Sequence, residues 1–301
     1  MPRTGLFAAL GNAFQVVFQN LFTVFVLAVV SGGLGTLVSD FVASTAVKLF
    51  APDRGRPELL VSELTRTVVD LGWGSTVGAL TAACTLYLWV QRERGQSTTF
   101  YDALNYGLNR WSRMWVAHAG ALVAVQLGML VIVPGILFGL QYAFVDAIAT
   151  LDAKEPNPGE RSRKLTARRR GLIFSTFAIF GLWWIPYQGL LMFMIQDPNA
   201  FLGGALHLSE DTVTWVGPLL MPAAGVVNGL VLVLLDLCMV QYYLDLFRKP
   251  AGATETSVEA GQTAALGAAG GAPPSATPPP VATAPVVSGG ADASIDLAKQ
   301  D

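Results

Sequence analysis

The segment from Gly128 to Gly171 constrains the fold more than any other part of this chain. An apolar run ends there at Pro134-Gly135, a second, shorter apolar run follows, and a strongly basic segment comes next. As a helix, Ile136–Leu151 would be about 24 Å long, against a hydrocarbon core of roughly 30 Å. This order predicts two membrane crossings and then a cytoplasmic basic belt. Pro134 would preset φ in the turn between the crossings, and Gly135 would accept a positive φ.

Composition supports a membrane protein, since 52% of the 301 residues are hydrophobic and only 13% are charged. Soluble domains carry roughly 25% charged residues, and apolar runs of membrane-spanning length account for the deficit. The predicted fold is an all-α polytopic membrane protein with about six transmembrane helices and cytoplasmic amphipathic connector helices. The predicted crossings cover residues 21–38, 68–90, 114–133, 136–151, 172–195 and 213–235.

The segments outside the crossings carry their own signals. Residues 6–18 predict an amphipathic helix at the membrane interface. Residues 39–67, with charges of both signs, predict a solvated loop that has room for a short helix at each end. Thr99 and Asp102 predict a capping box. The amphipathic helix after it lies on the inner leaflet or packs on the other connectors. A second capping box, Asn157-Pro158-Gly159-Glu160, opens the basic segment.

Small residues recur along three crossings. Gly74, Gly78 and Ala82 have four-residue spacing, as do Gly225 and Gly229, and this pattern is typical of close helix packing in lipid. The first crossing carries Ser31-Gly32-Gly33 and Gly35. These residues either let a neighbouring helix approach or mark a helix end.

The orientation follows from positive charge, which accumulates on the cytoplasmic side of membrane proteins. With six crossings and a cytoplasmic N-terminus, 15 of the 19 basic residues lie on the cytoplasmic side. Five crossings would misplace a basic cluster, either 92–113 or 154–170. The sequence therefore predicts a multi-pass protein with both termini in the cytoplasm. Abundant Arg, Ala and Gly suggest a bacterial source and hence the cytoplasmic (inner) membrane.

The basic belt is also a predicted binding surface, because a cytoplasmic leaflet is negatively charged. It would hold anionic lipid headgroups, or a membrane-protein partner, in a shallow cavity above Ile136–Leu151. The alternative is that these charges only fix the orientation and that lipid contact is unselective. The belt residues are Arg161, Arg163, Lys164, Arg168, Arg169 and Arg170.

Four polar side chains, those of His118, Asp146, Asn228 and Asp236, lie inside apolar runs. An intramembrane acid costs about 2.5–3.5 kcal/mol, so a partner is expected for each carboxyl group. His118 is expected to hydrogen-bond to another helix, with a proton relay as the alternative. The two acids face each other or Arg110 across the bundle, or Asp236 and Asp245 lie near the cytoplasmic interface and pair with Arg residues of the belt. The second arrangement is favoured.

No catalytic or nucleotide-binding motif is present: the P-loop, GxSxG, HExxH and Rossmann glycine patterns are all missing. Cys84 and Cys238 lie in separate apolar runs, so neither a disulfide framework nor a CxxC site is predicted. We expect no enzyme, no cofactor, no metal and no nucleic-acid partner.

The two ends of the chain differ in character. The N-terminus lacks the charge and cleavage pattern of a signal peptide and is expected to be retained. Residues 250–301 are mostly Ala, Gly, Pro, Ser and Thr, without an aromatic residue. They are predicted to form a disordered cytoplasmic tail behind a six-helix membrane domain at 1–249.

Three segments carry a resemblance to a known family: FYDALNYGLNRW, LVIVPGILFGLQYAFVDAIATLDA and ERSRKLTARRRGLIF. Together they resemble a bacterial six-helix inner-membrane family. It includes the membrane domain of glycerophosphoryl diester phosphodiesterases and related uncharacterised membrane proteins. The resemblance covers roughly residues 7–247. It implies a fold and a location but little about activity, since the phosphodiesterase domain would be a separate soluble barrel for which this chain has no room.

The matching positions are the proline-glycine pair and the basic helix of the family. Arg168 stands where the family usually has glycine, and Asp146 falls a few residues ahead of the usual acid, which Asp152 or Glu155 matches instead. The matching residues are Pro134, Gly135, Arg161, Ser162, Leu165 and Thr166.

Three hypotheses of function follow from the sequence. The first is a non-enzymatic integral membrane protein that organises lipid or partner proteins at the cytoplasmic membrane. The second is a transporter or permease-like protein that uses Asp146 or Asp236 as a coupling site, with a path lined by Asn228, Asp236 and His118. The third, a membrane-embedded lipid enzyme, would need clustered His and acidic residues at one depth.

Overall fold

The computed structural model describes residues 5–51, 56–152, 154–167, 169–196 and 209–247, together with Gly204 and His207. These residues form helices and contain no strand, which confirms the all-α class. The predicted tail at 250–301 lies outside the described residues. The α-helices are α1 (Leu6–Gln19), α2 (Leu21–Ala28), α3 (Gly35–Phe50), α4 (Arg56–Trp73), α5 (Ala79–Glu93), α6 (Phe100–Met129), α7 (Val133–Tyr142), α8 (Val145–Leu151), α9 (Pro158–Thr166), α10 (Arg170–Gln196), α11 (Glu210–Val216) and α12 (Leu220–Leu244).

Three stretches of the described chain are long and apolar enough to cross a membrane: Leu21–Phe50, Val133–Leu151 and Leu220–Leu244. Large apolar side chains on the outer surface are widely exposed, among them Phe22 and Phe41 at 71% and 72%. Monomeric soluble proteins rarely expose large contiguous apolar patches. The chain therefore has the features of a membrane protein.

Helix α1 ends at Asn20, where the backbone leaves the helical region and the side-chain amide donates to the Val16 carbonyl at 3.0 Å. Ala9 and Ala13 are buried on one face, and Phe7 on the other face is 81% exposed. The predicted amphipathic helix before the first crossing is thus present and distinct from α2. Its place at the membrane interface stays a prediction.

The prediction for residues 39–67 is confirmed only in its helices at the two ends, which leave little loop between them: α3 continues to Phe50, and α4 already begins at Arg56. The two helices pack along each other, and Asp40 on α3 pairs with Arg66 on α4 at 3.0 Å. The charges that suggested a loop instead join two antiparallel helices. Charged residues that pair between two helices interrupt the apolar periodicity by which a helix is recognised in a sequence. The mixed charges of residues 39–67 therefore resembled those of a loop.

Two π-helical segments, Val29–Leu34 and Gly74–Gly78, interrupt the helices α2–α3 and α4–α5. Each presents a backbone carbonyl to an indole: Trp73 donates to the Ser31 oxygen at 3.0 Å, and Trp111 donates to the Thr76 oxygen at 3.0 Å. The i→i+5 pattern of a π-helix changes which carbonyls are paired internally. These indole bonds tie α4 to the first crossing and α6 to the second.

Glycines bring α12 into backbone contact with α2 and the π-helical segment after it. A Cβ on Gly32 would overlap the Gly225 carbonyl oxygen, and one on Gly229 would lie 2.6 Å from the Ala28 carbonyl oxygen. Of the two alternatives for the Ser31–Gly35 region, the structure confirms close approach of a helix. The helix does not end there, since α3 continues it.

Helix α6 runs unbroken over 30 residues, about 45 Å. The capping box is confirmed: Thr99 Oγ1 accepts from the Asp102 N–H at 3.2 Å, and the Asp102 carboxylate accepts from the Thr99 N–H at 3.2 Å. The hydroxyl hydrogen bond from Thr99 holds the pKa of Asp102 below its usual range. The prediction of a separate amphipathic connector helix after Thr99 is wrong, because this segment forms the first half of the continuous helix α6.

The hairpin between α6 and α7 is confirmed, but its turn differs from the prediction. The tight turn lies at Ile132, with φ 55° and ψ −63°, and the Val133 N–H donates to the Val131 carbonyl at 2.6 Å. This is a γ-turn, rare for a β-branched residue. Pro134 instead occupies the first turn of α7, and Gly135 lies where a Cβ would be 2.6 Å from the Met129 nitrogen.

Two prolines lie where the last apolar stretch begins. Pro218 lies in a short 3-10 segment, Gly217–Leu219, between α11 and α12, and Pro222 lies in the first turn of α12. Helix α12 ends at Leu244, beyond the predicted end of the crossing at residue 235.

Substitution of Gly32 by Ala tests the backbone contact between α2 and α12. Because the added methyl group would overlap the Gly225 carbonyl, which cannot move without its helix, we expect a loss of about 3 kcal/mol of unfolding free energy. Reversible denaturation of the purified protein in mixed micelles measures it.

The matched control is Gly120→Ala on α6, where a Cβ meets nothing within 4 Å. Alanine is a better helix former by about 1 kcal/mol, so this variant should be unchanged or slightly more stable. Equal effects of the two substitutions would show that the α2–α12 contact is loose.

Candidate functional site

Helices α7 and α8 meet at a break, where Phe144 has φ −106° and ψ 6°. The freed Phe144 N–H donates to Ser162 Oγ at 3.2 Å, and the same hydroxyl donates to the Gln141 carbonyl at 2.7 Å. Ser162 is fully buried, as is Thr166 one turn further along α9. One face of α9 is therefore docked onto the break between α7 and α8.

The loop between α8 and α9 is held by two arginines. Arg161 pairs with Asp152 and with Glu155, at 2.5 and 3.0 Å, and its hydrogen bond holds the pKa of Glu155 below the usual range. Arg113 on α6 donates to the carbonyl oxygens of Asp152 and Glu155, at 2.6 and 2.9 Å. Arg161, predicted as a headgroup ligand, thus lies in an internal ion-pair network.

The start of α9 is capped as predicted on one side only. Asn157 Oδ1 accepts from the Glu160 N–H at 3.2 Å, but the Asn157 N–H donates to Glu155 at 3.2 Å, so Glu155 takes the place expected for Glu160. The Glu160 carboxylate instead pairs with Lys164 at 2.6 Å, and this bond lowers the pKa of Glu160.

The outward face of α9 borders a basic cavity of about 600 Å³. Its positive side chains are Arg163, Lys164 and Arg170, all exposed. Glu160 contributes the one carboxylate of the lining. The remaining lining residues are Gln141, Tyr142, Asn157 and Gly159. Three of the six predicted belt residues therefore converge on one concave surface beside the α7–α8 break.

The other belt residues lie elsewhere. Arg168 falls outside the described residues, Arg169 is 9% exposed, and Arg161 is held by Asp152 and Glu155. Of the other arginines that are predicted to be cytoplasmic, Arg92 contacts Gln15, and Arg110 lies over the ring of Tyr106 at 4.0 Å. The belt is thus divided between groups that hold the fold and groups that line a cavity.

A second cavity, of about 610 Å³, adjoins the basic cavity and shares Tyr142, Asn157 and Gly159 with it. Its wall on α6 is formed by small and apolar residues, and Arg113 and Glu155 lie at one side. The α6 wall consists of Val116, Ala117, Gly120 and Ala121. The sequence signal for this pair of cavities was weak, because their walls come from five separate helices, α6 to α10.

Two of the predicted intramembrane polar residues form a direct pair. His118 Nδ1 on α6 lies 2.9 and 3.0 Å from the two carboxylate oxygens of Asp146 on α8, and the side chains are 20% and 24% exposed. The prediction that His118 bonds to another helix is confirmed.

Asp236 lies on α12, which packs against α8, the helix that carries Asp146. The described arginines of the belt form no ion pair with Asp236, so the favoured expectation is not confirmed among them, and Arg168 lies outside the described residues. Helix packing instead gives Asp146 the histidine of α6 as its partner.

Asn228, the fourth predicted residue, lies elsewhere on α12. Its amide oxygen accepts from Trp184 at 3.2 Å and from Gln188 at 3.4 Å, both on α10. Eight residues of helix, about 12 Å, separate it from Asp236. The structure therefore gives Asn228 a role in joining α10 to α12.

Among the described residues, no three His, Cys, Asp or Glu side chains are grouped so that they could hold a metal ion. No protein-family model, curated protein or solved structure matches this chain.

Replacement of Ser162 by Ala tests how α9 is attached. The Phe144 N–H and the Gln141 carbonyl would lose their shared partner, so we expect a loss of about 1–3 kcal/mol of unfolding free energy. Hydrogen exchange at Phe144 should rise at the same time, which mass spectrometry can measure.

Ser175→Ala serves as the control, because Ser175 is exposed and bonds only to the Gly171 carbonyl of its own helix. This variant should behave like the wild type. Unchanged exchange at Phe144 in the Ser162 variant would contradict the docking described above.

Proposed function

We propose that this chain is a non-enzymatic integral membrane protein that holds anionic lipid headgroups at the cytoplasmic face of a bacterial inner membrane. The observation that carries the proposal is the basic cavity lined by Arg163, Lys164 and Arg170. Each basic side chain near an anionic leaflet contributes about 1 kcal/mol of attraction, and three on one concave surface add selectivity to that attraction.

The adjoining cavity supports a lipid rather than a soluble anion as the ligand. Its small and apolar α6 wall suits an acyl chain, and it shares Tyr142, Asn157 and Gly159 with the basic cavity. An anionic lipid has a charged end and an apolar end, joined over a short distance. Two neighbouring cavities of these two kinds match that chemistry.

The same proposal includes membership of the six-helix family that the sequence resembles. Its support is that the matching residues have structural roles that a shared fold would require. Gly135 packs closely against Met129 in the hairpin, Ser162 holds the α7–α8 break, and Arg161 holds the loop before α9.

Six crossings with both termini in the cytoplasm are part of the proposal. Beside the three apolar stretches, α6 and α10 have 30 and 27 residues, and the helix from Arg56 to Glu93 is continuous apart from its π-helical segment. Helices α6 and α10 and the helix from Arg56 to Glu93 are each longer than the roughly 20 residues that a crossing needs.

Transport is a second candidate function, favoured by the His118–Asp146 pair, because ionisable residues within crossings often lie on ion or proton pathways. The lipid proposal accounts for the cavities and the transport proposal does not, so the lipid proposal is preferred.

Single cysteines in a background without Cys84 and Cys238 test the orientation. Gly55→Cys and Ala205→Cys should react with an impermeant maleimide on intact spheroplasts, and Gln96→Cys and Glu160→Cys should react only after permeabilisation. Labelling of residue 160 from outside would remove the six-crossing arrangement.

Lipid retention by the purified protein tests the basic cavity. The variant Arg163→Gln/Lys164→Gln/Arg170→Gln should lose selective retention of phosphatidylglycerol over phosphatidylcholine, measured by native mass spectrometry or by lipid extraction. Salt should weaken the retention by the wild type, because the three side chains are exposed.

The matched control removes three cytoplasmic charges outside this cavity: Arg92→Gln/Arg94→Gln/Lys154→Gln. It has the same net charge as the first variant and should retain the lipid selectively. If the two variants lose equal amounts of lipid, the belt acts only through its total charge and the proposed site is absent.

A further inference from the structure

The basic cavity contains uncharged polar residues that the lipid proposal does not use. Beside its three cations it is lined by Gln141, Tyr142 and Asn157, whose side chains end in an amide, a hydroxyl and an amide. A site for a phosphate group alone needs only cations and N–H donors close to the phosphate oxygens. The additional uncharged groups indicate a ligand that continues beyond its phosphate.

The uncharged side chains have hydrogen-bonding groups that the fold does not use. Gln141 offers its backbone carbonyl to Ser162, but its side-chain amide forms no hydrogen bond with the rest of the described chain. Asn157 caps α9 through its side-chain oxygen, and its NH₂ group has no partner among the described residues. The Tyr142 ring packs against Phe138, and its hydroxyl group is likewise unpaired within the described segments. Hydroxyl groups of a ligand can take the place of water at all three positions.

The charged groups of the cavity favour a phosphate with a single negative charge. Arg163 and Arg170 form no ion pair with other described residues, so both guanidinium groups can bind phosphate oxygens. Lys164 is already paired with Glu160 at 2.6 Å. The Glu160 carboxylate also lines the cavity, where it repels anionic oxygens and accepts hydrogen bonds from hydroxyl groups. It therefore repels a singly charged phosphodiester less than the dianion of a phosphate monoester.

The volume of the cavity suits a headgroup that is larger than phosphate. It is about 600 Å³, within the roughly 300–1,000 Å³ of sites that bind small organic molecules. A phosphate group replaces only a few water molecules, each of which takes up about 30 Å³. Room for a short chain of hydroxyl-bearing carbons is therefore present beside the phosphate.

We propose that the basic cavity selects a lipid phosphodiester whose headgroup carries hydroxyl groups. This inference rests on the proposed lipid site and adds the class of headgroup to it. Arg163 and Arg170 bind the phosphate. The three uncharged side chains donate hydrogen bonds to the hydroxyl groups of the ligand, and Glu160 accepts hydrogen bonds from them.

The test compares three lipids offered in equal amounts to the full chain, purified in mixed micelles. Phosphatidylglycerol has a phosphodiester with hydroxyl groups, phosphatidic acid has a bare phosphate, and phosphatidylcholine has no net charge. Native mass spectrometry measures which lipids the protein retains. The wild type should retain phosphatidylglycerol roughly fivefold more than phosphatidic acid, which is the factor that about one net hydrogen bond supplies.

Gln141→Met/Tyr142→Phe removes hydrogen-bonding groups from the cavity while keeping the sizes of both side chains. This variant should lose the preference for phosphatidylglycerol over phosphatidic acid. It should still retain both in preference to phosphatidylcholine, because the three cations remain. The matched control, Gln126→Met/Tyr101→Phe, makes the same two changes at exposed positions of α6 outside the cavity and should bind like the wild type.

The outcomes separate the class of headgroup from the lipid site itself. Wild-type protein that retains phosphatidic acid as well as phosphatidylglycerol, but not phosphatidylcholine, would overturn the headgroup and leave the lipid site intact. Equal retention of all three lipids would overturn both. An unchanged preference in Gln141→Met/Tyr142→Phe would also overturn the headgroup, and if that variant does not fold, the wild-type comparison decides.

A last arm distinguishes a lipid from a soluble phosphate ester. An excess of soluble glycerol phosphate should leave phosphatidylglycerol bound, because it has no acyl chain to occupy the adjoining apolar cavity. Displacement of the lipid by this probe would assign the cavity to a soluble anion and overturn the proposal.

Discussion

The hydroxyl group of Ser162 provides a partner for two backbone groups at the break between α7 and α8. Where a helix breaks inside a protein, the freed and buried backbone groups need partners from the protein itself. At the α7–α8 break, Ser162 accepts from the Phe144 N–H and donates to the Gln141 carbonyl. This one side chain permits the break and fixes α9 beside it. The basic cavity exists because α9 is held there, with its charged face turned outward.

The same break also determines the intramembrane charges. Helix α8 starts anew at Val145, so the direction of Asp146 is set by the break and not by the periodicity of α7. Asp146 thereby meets His118 at hydrogen-bonding distance. A hydrogen-bonding partner offsets part of the cost of about 2.5–3.5 kcal/mol that an intramembrane acid carries. The basic cavity and the His118–Asp146 pair therefore both depend on where α7 ends.

Features that depend on neighbouring residues could be predicted from the sequence, whereas contacts between residues far apart in the chain could not. The caps at Thr99 and Asn157 were predictable, because a cap involves residues three apart. The α6–α7 hairpin was predictable from length and charge, but its turn was not, since no local rule places a positive φ at Ile132 beside an available glycine. The partner of Asp146 lies 28 residues away on another helix. Only the packing of the helices brings such residues together, and one sequence does not encode it locally.

The glycines of α12 constrain where Asp236 can lie. Gly225, Gly229 and Asp236 are four and then seven residues apart, so they fall on one stripe of the helix. The two glycines touch the backbone of α2 and the π-helical segment after it, which fixes the rotation of α12. Asp236 lies about two turns beyond Gly229 on the same stripe, and α12 also packs against α1, α5 and α8. The close backbone contact at the two glycines therefore fixes the direction in which the Asp236 side chain leaves α12.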